Sequence, residues 1–172
     1  MTELFERVAQ RPESRSLTRG LWARRAVMAV FALVALAALI GVFGQRSSAT
    51  SSSSPRASVT VEAPRVVRGG LFFQARVDVR AAQDVEHPRL VLGAGWTDGV
   101  QVNSVEPAAQ SESSRDGRLV LSYDSLAAGD RLTVVAQFQV NPTQPRRRDF
   151  SVEVDDAETP VARVHRTLTV LP

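Results

Sequence analysis

The stretch LFFQARVDVR, residues 71–80, alternates apolar and polar side chains with a period of two. In an extended chain, successive side chains point to opposite faces of a sheet. One face of this stretch is therefore apolar, and the other is polar apart from Phe72. The pattern predicts a strand that is buried on one face only, as is common in antiparallel sheets.

The same alternation returns along the C-terminal two thirds of the chain. It is clear in residues 132–140 and 150–154, and shorter candidates are residues 58–62, 89–93, 100–105, 118–123 and 162–171. Turn signals such as Asp116-Gly117 and Gly129-Asp130 separate these stretches, and no helical pattern lies between them. The sequence therefore predicts a mainly β domain, an immunoglobulin-like antiparallel β-sandwich of 7 to 8 strands. A jelly roll or a small barrel is the alternative architecture.

A resemblance supports the sandwich. The segment LAAGDRLTVVAQFQVNP, residues 126–142, resembles the penultimate-strand corner of immunoglobulin-like modules in bacterial surface proteins, where a Leu and a Gly precede a long alternating strand. The whole chain resembles small, Arg-rich, single-pass membrane proteins of high-GC bacteria. The resemblance implies an extracytoplasmic domain with a role in adhesion or assembly. The absence of cysteine separates the chain from antibody-type domains.

The stretch AVMAVFALVALAALIGVFG, residues 26–44, has 19 consecutive residues without a charge. As a helix it spans about 28 Å, close to the hydrocarbon thickness of a bilayer. Arg24 and Arg25 precede it, so we expect the N-terminus to be cytoplasmic. Trp22 is predicted to lie at headgroup depth and to anchor the helix together with the two arginines, and the alternative is a helix tip with no special depth.

Four segments follow from this pattern. They are a cytoplasmic Arg-rich tail (1–25), a transmembrane helix (26–44), a flexible Ser-rich linker (45–57) and an extracytoplasmic β-sandwich (58–172). We therefore expect a single-pass protein of the cell membrane whose C-terminal domain is extracytoplasmic. A cleaved secretory signal is the alternative, because Ser47 and Ala49 place small residues at a plausible cleavage spacing.

Composition argues against several classes of function. All 21 basic residues are Arg, yet residues 58–172 carry 13 Arg against 15 acids, so the domain has no nucleic-acid signature. Zero cysteines exclude disulfides, zinc-thiolate sites and iron-sulfur clusters. His87 and His165 stand in no metal-like or triad-like pattern. We therefore predict no catalytic residue, metal or cofactor, and a non-enzymatic protein.

Five residues are candidates for contacts with a partner. Phe72 occupies the polar phase of its strand, so it either faces a partner or packs on the linker or a loop. Trp96 either fills the core or projects as a binding anchor. The triplet Arg146, Arg147 and Arg148 is predicted at a hairpin tip, where it either binds phosphate or carboxylate of an anionic lipid or wall polymer or remains a solvated loop.

Two further patterns have structural interpretations. Glu153, Asp155, Asp156 and Glu158 form an acid-rich strand end that is predicted to be a hydrated turn, with a calcium site as the alternative. Arg166 interrupts the apolar phase of residues 162–170, which predicts an edge strand or a bulge rather than a buried ion.

The sequence thus favours a membrane-anchored extracytoplasmic interaction or accessory module that binds another cell-envelope component. The alternative is a transmembrane sensor or regulatory subunit that relays an outer ligand through its short cytoplasmic tail. A second alternative is a secreted binding protein with a cleaved signal. The expected partners are the membrane, an envelope protein and an anionic lipid or wall polymer, and nucleic acid is not among them.

Overall fold

The computed structural model describes residues 14–39, 45–142 and 145–172, and the chain divides into two compact units between Gly44 and Gln45. The N-terminal unit contains helix α1, Ser14–Leu39, which begins well before the predicted span at residue 26. Its segment Gly20–Leu39 has a mean hydropathy of 1.7 and no buried side chains. This helix is long and apolar enough to cross a membrane, although a signal sequence would share both properties. Residues 1–13 and 40–44 lie outside the described residues.

The C-terminal unit is built from strands. Within the described residues they are β1 Ser47–Ser53, β2 Ala57–Pro64, β3 Val66–Arg68, β4 Phe72–Ala81, β5 Pro88–Leu92, β6 Val100–Glu106, β7 Ser111–Arg115, β8 Arg118–Ser122, β9 Arg131–Val140, β10 Arg147–Asp149, β11 Val152–Asp156, β12 Thr159–Val164 and β13 Thr167–Leu171. A short 3-10 helix, Ala94–Trp96, lies between β5 and β6.

The strands form two five-stranded antiparallel sheets and a smaller third one. Sheet 1 has the order β1-β2-β4-β9-β6, sheet 2 has the order β12-β11-β5-β8-β7, and sheet 3 has the order β10-β13-β3. A single buried cluster joins inward side chains of both large sheets, among them Val77 and Phe138 of sheet 1 and Leu90 and Val154 of sheet 2. The predicted fold class, a mainly β immunoglobulin-like sandwich behind an apolar N-terminal helix, is confirmed.

The alternation at residues 71–80 forms the centre of sheet 1. In β4, side chains from Phe73 to Ala81 are alternately buried and turned outward, as the sequence predicts. β4 pairs with β2 on one side and with β9 on the other. The two-residue turn Asp116-Gly117 closes the hairpin of β7 and β8, and both residues have positive φ, 53° and 74°. Such a turn favours glycine because an L side chain is strained there.

The prediction of a flexible linker over residues 45–57 is wrong for its central part. β1 occupies Ser47–Ser53 and pairs with β2 through seven residue pairs, from Ser47 with Pro64 to Ser53 with Ser58. Ser48, Thr50 and Ser52 are half-buried on the inner side of this edge strand. Sequence composition obscures such a strand, because small hydroxyl residues leave no apolar alternation even when their backbone is fully paired.

The number of strands, the division of one predicted strand and the direction of one pairing also differ from prediction. β1, β3, β7 and β10 carry no clear alternation and were not predicted as strands. Residues 162–171, predicted as one strand, are divided at His165 and Arg166, so that β12 belongs to sheet 2 and β13 to sheet 3. The pairing of β13 with β3 is parallel, whereas the sequence predicted antiparallel pairing throughout.

Asp156 ties together segments that are distant in sequence. Its carboxylate accepts a hydrogen bond from the backbone N–H of His87 at 3.0 Å and pairs with the Arg56 guanidinium at 2.5 Å. These two interactions, the His87 bond foremost, lower the pKa of Asp156 below its ordinary value of 3.8. The ionised form is therefore favoured by folding, so this contribution to stability is present above about pH 4 and is lost as the pH falls through the lowered pKa.

We predict that Asp156→Asn lowers the free energy of unfolding at pH 7 by about 1 to 2 kcal/mol, because it removes charge-assisted hydrogen bonds. The loss of stability on acidification below pH 4 becomes shallower in the variant. Urea unfolding of the full chain in non-ionic detergent, followed by near-ultraviolet circular dichroism, measures both effects. Asp116→Asn, at an exposed turn carboxylate, is the control, and equal pH profiles for the two variants would contradict the assignment.

Candidate functional site

The outward face of sheet 1 has an uncharged half. In the strand register, Phe72 lies opposite Gln139, which lies opposite Gln101, and the next row pairs Gln74 with Gln137 and Gln137 with Ser104. We call these six residues the glutamine block. Neighbours in such rows are about 5 Å apart, so the block is a continuous surface across β4, β9 and β6.

The other half of the same face carries charge. Asp78 contacts Arg131 at 2.9 Å, Arg76 at 3.6 Å and the Thr133 hydroxyl at 2.5 Å. Burial opposes ionisation of Asp78, but the hydrogen bonds from Thr133 and Arg131 outweigh it, and the pKa is lowered from its ordinary value. The face is thus divided into a self-paired charged half and a half without formal charge.

A groove adjoins the glutamine block. It has a volume of about 450 Å³ and lies where the segment after the 3-10 helix meets the ends of β6 and β9. Gln101 and Gln139 belong to both the groove and the block, and Asn141 and Pro142 form another part of its wall. Block and groove together offer one aromatic ring, amide donors and acceptors, and a concave surface.

Phe72 is the exposed apolar residue of this face. The residue is 61% exposed, and it begins β4 beside the glycine turn at Gly69 and Gly70. Of the two sequence interpretations, the partner-facing one agrees with this exposure, while packing on the linker or on a loop does not. The five other members of the glutamine block were not candidates from sequence, because only the strand register brings β4, β6 and β9 together.

Trp96 is not a partner contact. It is 1% exposed, its ring stacks on Phe150 with centroids 4.1 Å apart, and its indole N–H donates to the carbonyl of Ser151 at 3.2 Å. This contradicts its assignment as a possible binding residue and confirms the core interpretation. The ring is buried because the 3-10 helix turns it into the space between the sheets.

The arginine triplet does not form one exposed tip. Arg147 is exposed in β10, which pairs with β13, and Arg146 is ion-paired with Asp98. Arg148 is only 4% exposed and also approaches Asp98, at 3.8 Å. Burial, reinforced by Arg146 and opposed by Asp98, lowers the pKa of Arg148 from its ordinary value. The prediction of a three-arginine contact surface is therefore wrong, since alternation along a strand sends Arg148 inward.

The helix residues predicted to anchor the chain lie in α1. Trp22 is 68% exposed, and the guanidinium of Arg25 lies 5.9 Å from the centre of its ring, within cation–π range. Arg24 precedes Arg25 in the same helix and is exposed as well. Their role at a membrane interface stays a prediction.

The acid-rich strand end faces arginines. Glu153 pairs with Arg118 at 3.2 Å, and the Asp155 carboxylate, 1% exposed, lies 3.5 Å from Arg115. Burial, together with Glu153, raises the pKa of Asp155 above its ordinary value despite the arginines nearby. Among the described residues, no three His, Cys, Asp or Glu side chains are grouped so that they could hold a metal ion.

Arg166 was predicted to mark an edge or a bulge rather than a buried ion. The chain does change sheets at this point, but the guanidinium itself is buried, with the residue 6% exposed. This prediction is wrong because oxygen atoms of β1 and β2, more than 100 residues away in sequence, surround the charge.

Comparisons with known proteins give distant similarities of fold. No protein-family model matches the chain, and no curated protein does. It is similar to a non-cellulosomal cohesin from the hyperthermophilic archaeon Archaeoglobus fulgidus, with a TM-score of 0.42 and 16% identity over 64% of this chain and 88% of that chain. It is similar to a CARDB domain from Pyrococcus furiosus in complex with di-metal ions, with a TM-score of 0.43 and 15% identity over 73% and 89%. A β-glucosidase from Listeria innocua has a TM-score of 0.34 and 14% identity over 74% of this chain and 16% of that chain.

We predict that the three arginines respond differently to substitution by Ser. Arg148→Ser should lower the free energy of unfolding by about 1 to 3 kcal/mol, because it removes a buried stem and its polar contacts. Arg146→Ser and Arg147→Ser should each change it by less than about 0.5 kcal/mol, since exposed ion pairs and exposed side chains contribute little. Urea unfolding of the three variants compares them directly, and equal values for all three would contradict the buried position of Arg148.

Proposed function

We propose that this protein is a non-enzymatic, membrane-anchored interaction module whose β-sandwich binds another protein of the cell envelope through the glutamine block and its groove. The observation that carries the proposal is the 61% exposure of Phe72 at one corner of an uncharged, amide-rich surface. Exposure of a large aromatic ring to water is unfavourable, and the free energy falls when a partner covers the ring.

The chemistry of the block suits a protein partner. Amide side chains donate and accept hydrogen bonds at once, so they can pair with backbone and side-chain groups without the desolvation cost of a charge. Protein interfaces are depleted of charge at their centres and enriched in aromatic residues, and Phe72 among four glutamines has this composition. The charged half of the sheet, with Asp78 and Arg131, supplies a polar rim.

The apolar helix supports a membrane-anchored mode of action. Confinement at a membrane would hold the domain near its partner at a high effective concentration, so a surface of modest size would suffice. In this arrangement the N-terminal tail is cytoplasmic and the sandwich extracytoplasmic, as the arginines beside the helix favour. A sensor that signals through its tail and a secreted form are the competing arrangements, and the labelling experiment below separates the secreted form.

We predict that a photo-crosslinking amino acid at position 72 of the full chain, in its native membrane, gives one dominant crosslinked protein. The matched control is the same amino acid at Val66, which is also apolar and 47% exposed but lies in sheet 3. Gln139→Arg places a charge beside position 72 and should abolish the crosslink without affecting folding. Equal crosslinking from positions 72 and 66, or no effect of Gln139→Arg, would contradict the proposed face.

The absence of cysteine allows a direct test of topology, because any introduced thiol is unique. We predict that Ser113→Cys, on the exposed edge strand β7, reacts with a membrane-impermeant maleimide in intact spheroplasts. Thr2→Cys should react only after permeabilisation. The labelled Ser113→Cys protein should remain in the membrane fraction at the mass of the full chain. Recovery of a shorter, soluble form would favour the secreted alternative, and the reverse labelling pattern would overturn the orientation.

A further inference from the structure

Arg166 holds a buried charge at the crossover between sheets 2 and 3. It follows β12 and precedes β13, and the whole residue is 6% exposed. Its backbone carbonyl accepts a hydrogen bond from the N–H of Phe150, which fixes the crossover against the segment before β11. The side chain extends toward β1 and β2, the outer pair of strands of sheet 1.

Among the described residues, the hydrogen-bond partners of this guanidinium are neutral oxygens. Nη1 donates to the carbonyl of Ser48 at 2.7 Å, and to the Thr50 hydroxyl and the Val61 carbonyl at 3.2 Å each. Nη2 donates to the Ser48 hydroxyl at 3.0 Å and to the carbonyl of Ala63. Within the described part of the chain, no carboxylate lies within ion-pair distance of Arg166, and its Nε has no hydrogen-bond partner.

A second arginine adds positive charge at the same place. Nε of Arg65 donates to the Ser48 hydroxyl at 3.1 Å, the same oxygen that accepts from Nη2 of Arg166. The two guanidinium groups are therefore within about 6 Å of each other along this shared oxygen. Burial, with Arg65 adding to it, lowers the pKa of Arg166 from its ordinary value. A buried charge without a counter-charge is costly, and the neighbouring like charge increases the cost.

A cavity of about 280 Å³ opens beside the two arginines. Its wall combines Arg65 and Arg166 with His165, and three hydroxyl side chains, Thr50, Ser151 and Thr167, complete the polar lining. Arg65, His165 and Thr167 are exposed, so the cavity can be reached from solvent. The volume admits a small polyatomic ion together with part of a larger molecule attached to it.

Asp149 is the one carboxylate among the described residues of this wall. Its Oδ1 accepts hydrogen bonds from the N–H and the hydroxyl of Ser151, so part of its charge is already compensated. With two arginines against one aspartate, the formal charge of the wall is positive even when His165 is neutral.

We propose that this pocket, between β1 and the crossover at Arg166, binds a phosphate group. The polar lining comes from β1, from β13 and from the connecting segments that carry Arg65, Ser151 and Arg166, and it surrounds one cavity. A phosphate would bring several acceptor oxygens and a negative charge to this lining. A bound phosphate would supply a counter-charge to Arg166, which has none within ion-pair distance among the described residues. The pocket lies apart from the glutamine block, so this assignment does not depend on the proposed protein partner. Free phosphate and the phosphate of a lipid headgroup share this chemistry.

The test is calorimetric titration of inorganic phosphate into the full chain purified in a non-ionic detergent. We expect saturable binding with one site per chain. Arg65→Gln should weaken binding roughly tenfold, because it removes one charge-assisted donor. Asp149→Asn should strengthen it about threefold or more, since the amide still accepts from Ser151 and the repulsion of the anion is gone. Arg80→Gln, an exposed arginine of β4 with the same change of net charge, should leave binding unchanged.

No saturable binding to the wild type would overturn the proposal, as would equal weakening by Arg65→Gln and Arg80→Gln. Weaker binding in Asp149→Asn would also overturn it. Arg166→Gln removes bonds to β1 and β2 as well as the charge, so Arg65→Gln and Asp149→Asn carry the test if that variant fails to fold. Titration of water-soluble dihexanoyl phosphatidylglycerol separates the two sources. Binding tighter than that of phosphate and competitive with it identifies a lipid headgroup, and binding of phosphate alone identifies the free ion.

Discussion

The stacking of Trp96 between the sheets is the contact on which the rest of the sandwich depends. Its ring meets Phe150 at 4.1 Å and Phe138 at 5.0 Å, and Phe138 in turn stacks on Phe73 of the neighbouring strand. Gly95 makes this possible, because a Cβ at that position would lie 2.3 Å from the carbonyl oxygen of Asp149. Backbone can approach backbone this closely only where a side chain is absent. The aromatic cluster therefore fixes where β10 passes and how far apart the sheets lie.

Both candidate sites rest on this cluster. Phe138 lies between Gln137 and Gln139 in β9, so the packing of its ring holds the two amides outward. At the proposed phosphate pocket, the carbonyl of Ser151 accepts a hydrogen bond from the indole N–H of Trp96. The backbone N–H and the hydroxyl of Ser151 donate to Asp149 in the wall of that pocket. The buried side chain of Trp96 thus helps to position two surfaces that are exposed to solvent. Trp96, for which the sequence allowed both a core position and a binding role, therefore acts through its neighbours.

The sequence predicted what alternation can reveal and missed what depends on distant pairing. The strands with apolar inner faces, such as β4 and β9, were found because burial on one face leaves a period of two. β1 was missed because its serines and threonine bury hydroxyls instead of apolar groups. Arg166 appeared as an interruption, since its partners lie 103 to 118 residues earlier in the chain. The glutamine block could not be recognised before the register of three strands was known, and only Phe72 stood out within it.

The serine-rich composition of β1 has a physical explanation in this arrangement. A guanidinium buried at the crossover needs oxygen acceptors on the opposite side, and a strand of small hydroxyl residues supplies both backbone carbonyls and side-chain oxygens there. Larger apolar side chains at Ser48 and Thr50 would remove the hydroxyl acceptors and leave the guanidinium of Arg166 with backbone carbonyls alone. The low hydrophobicity of β1 therefore agrees with its role as a source of oxygen acceptors for Arg166. Its resemblance to a flexible linker arises from composition, whereas its structure comes from its pairing with β2 and its contacts with Arg166.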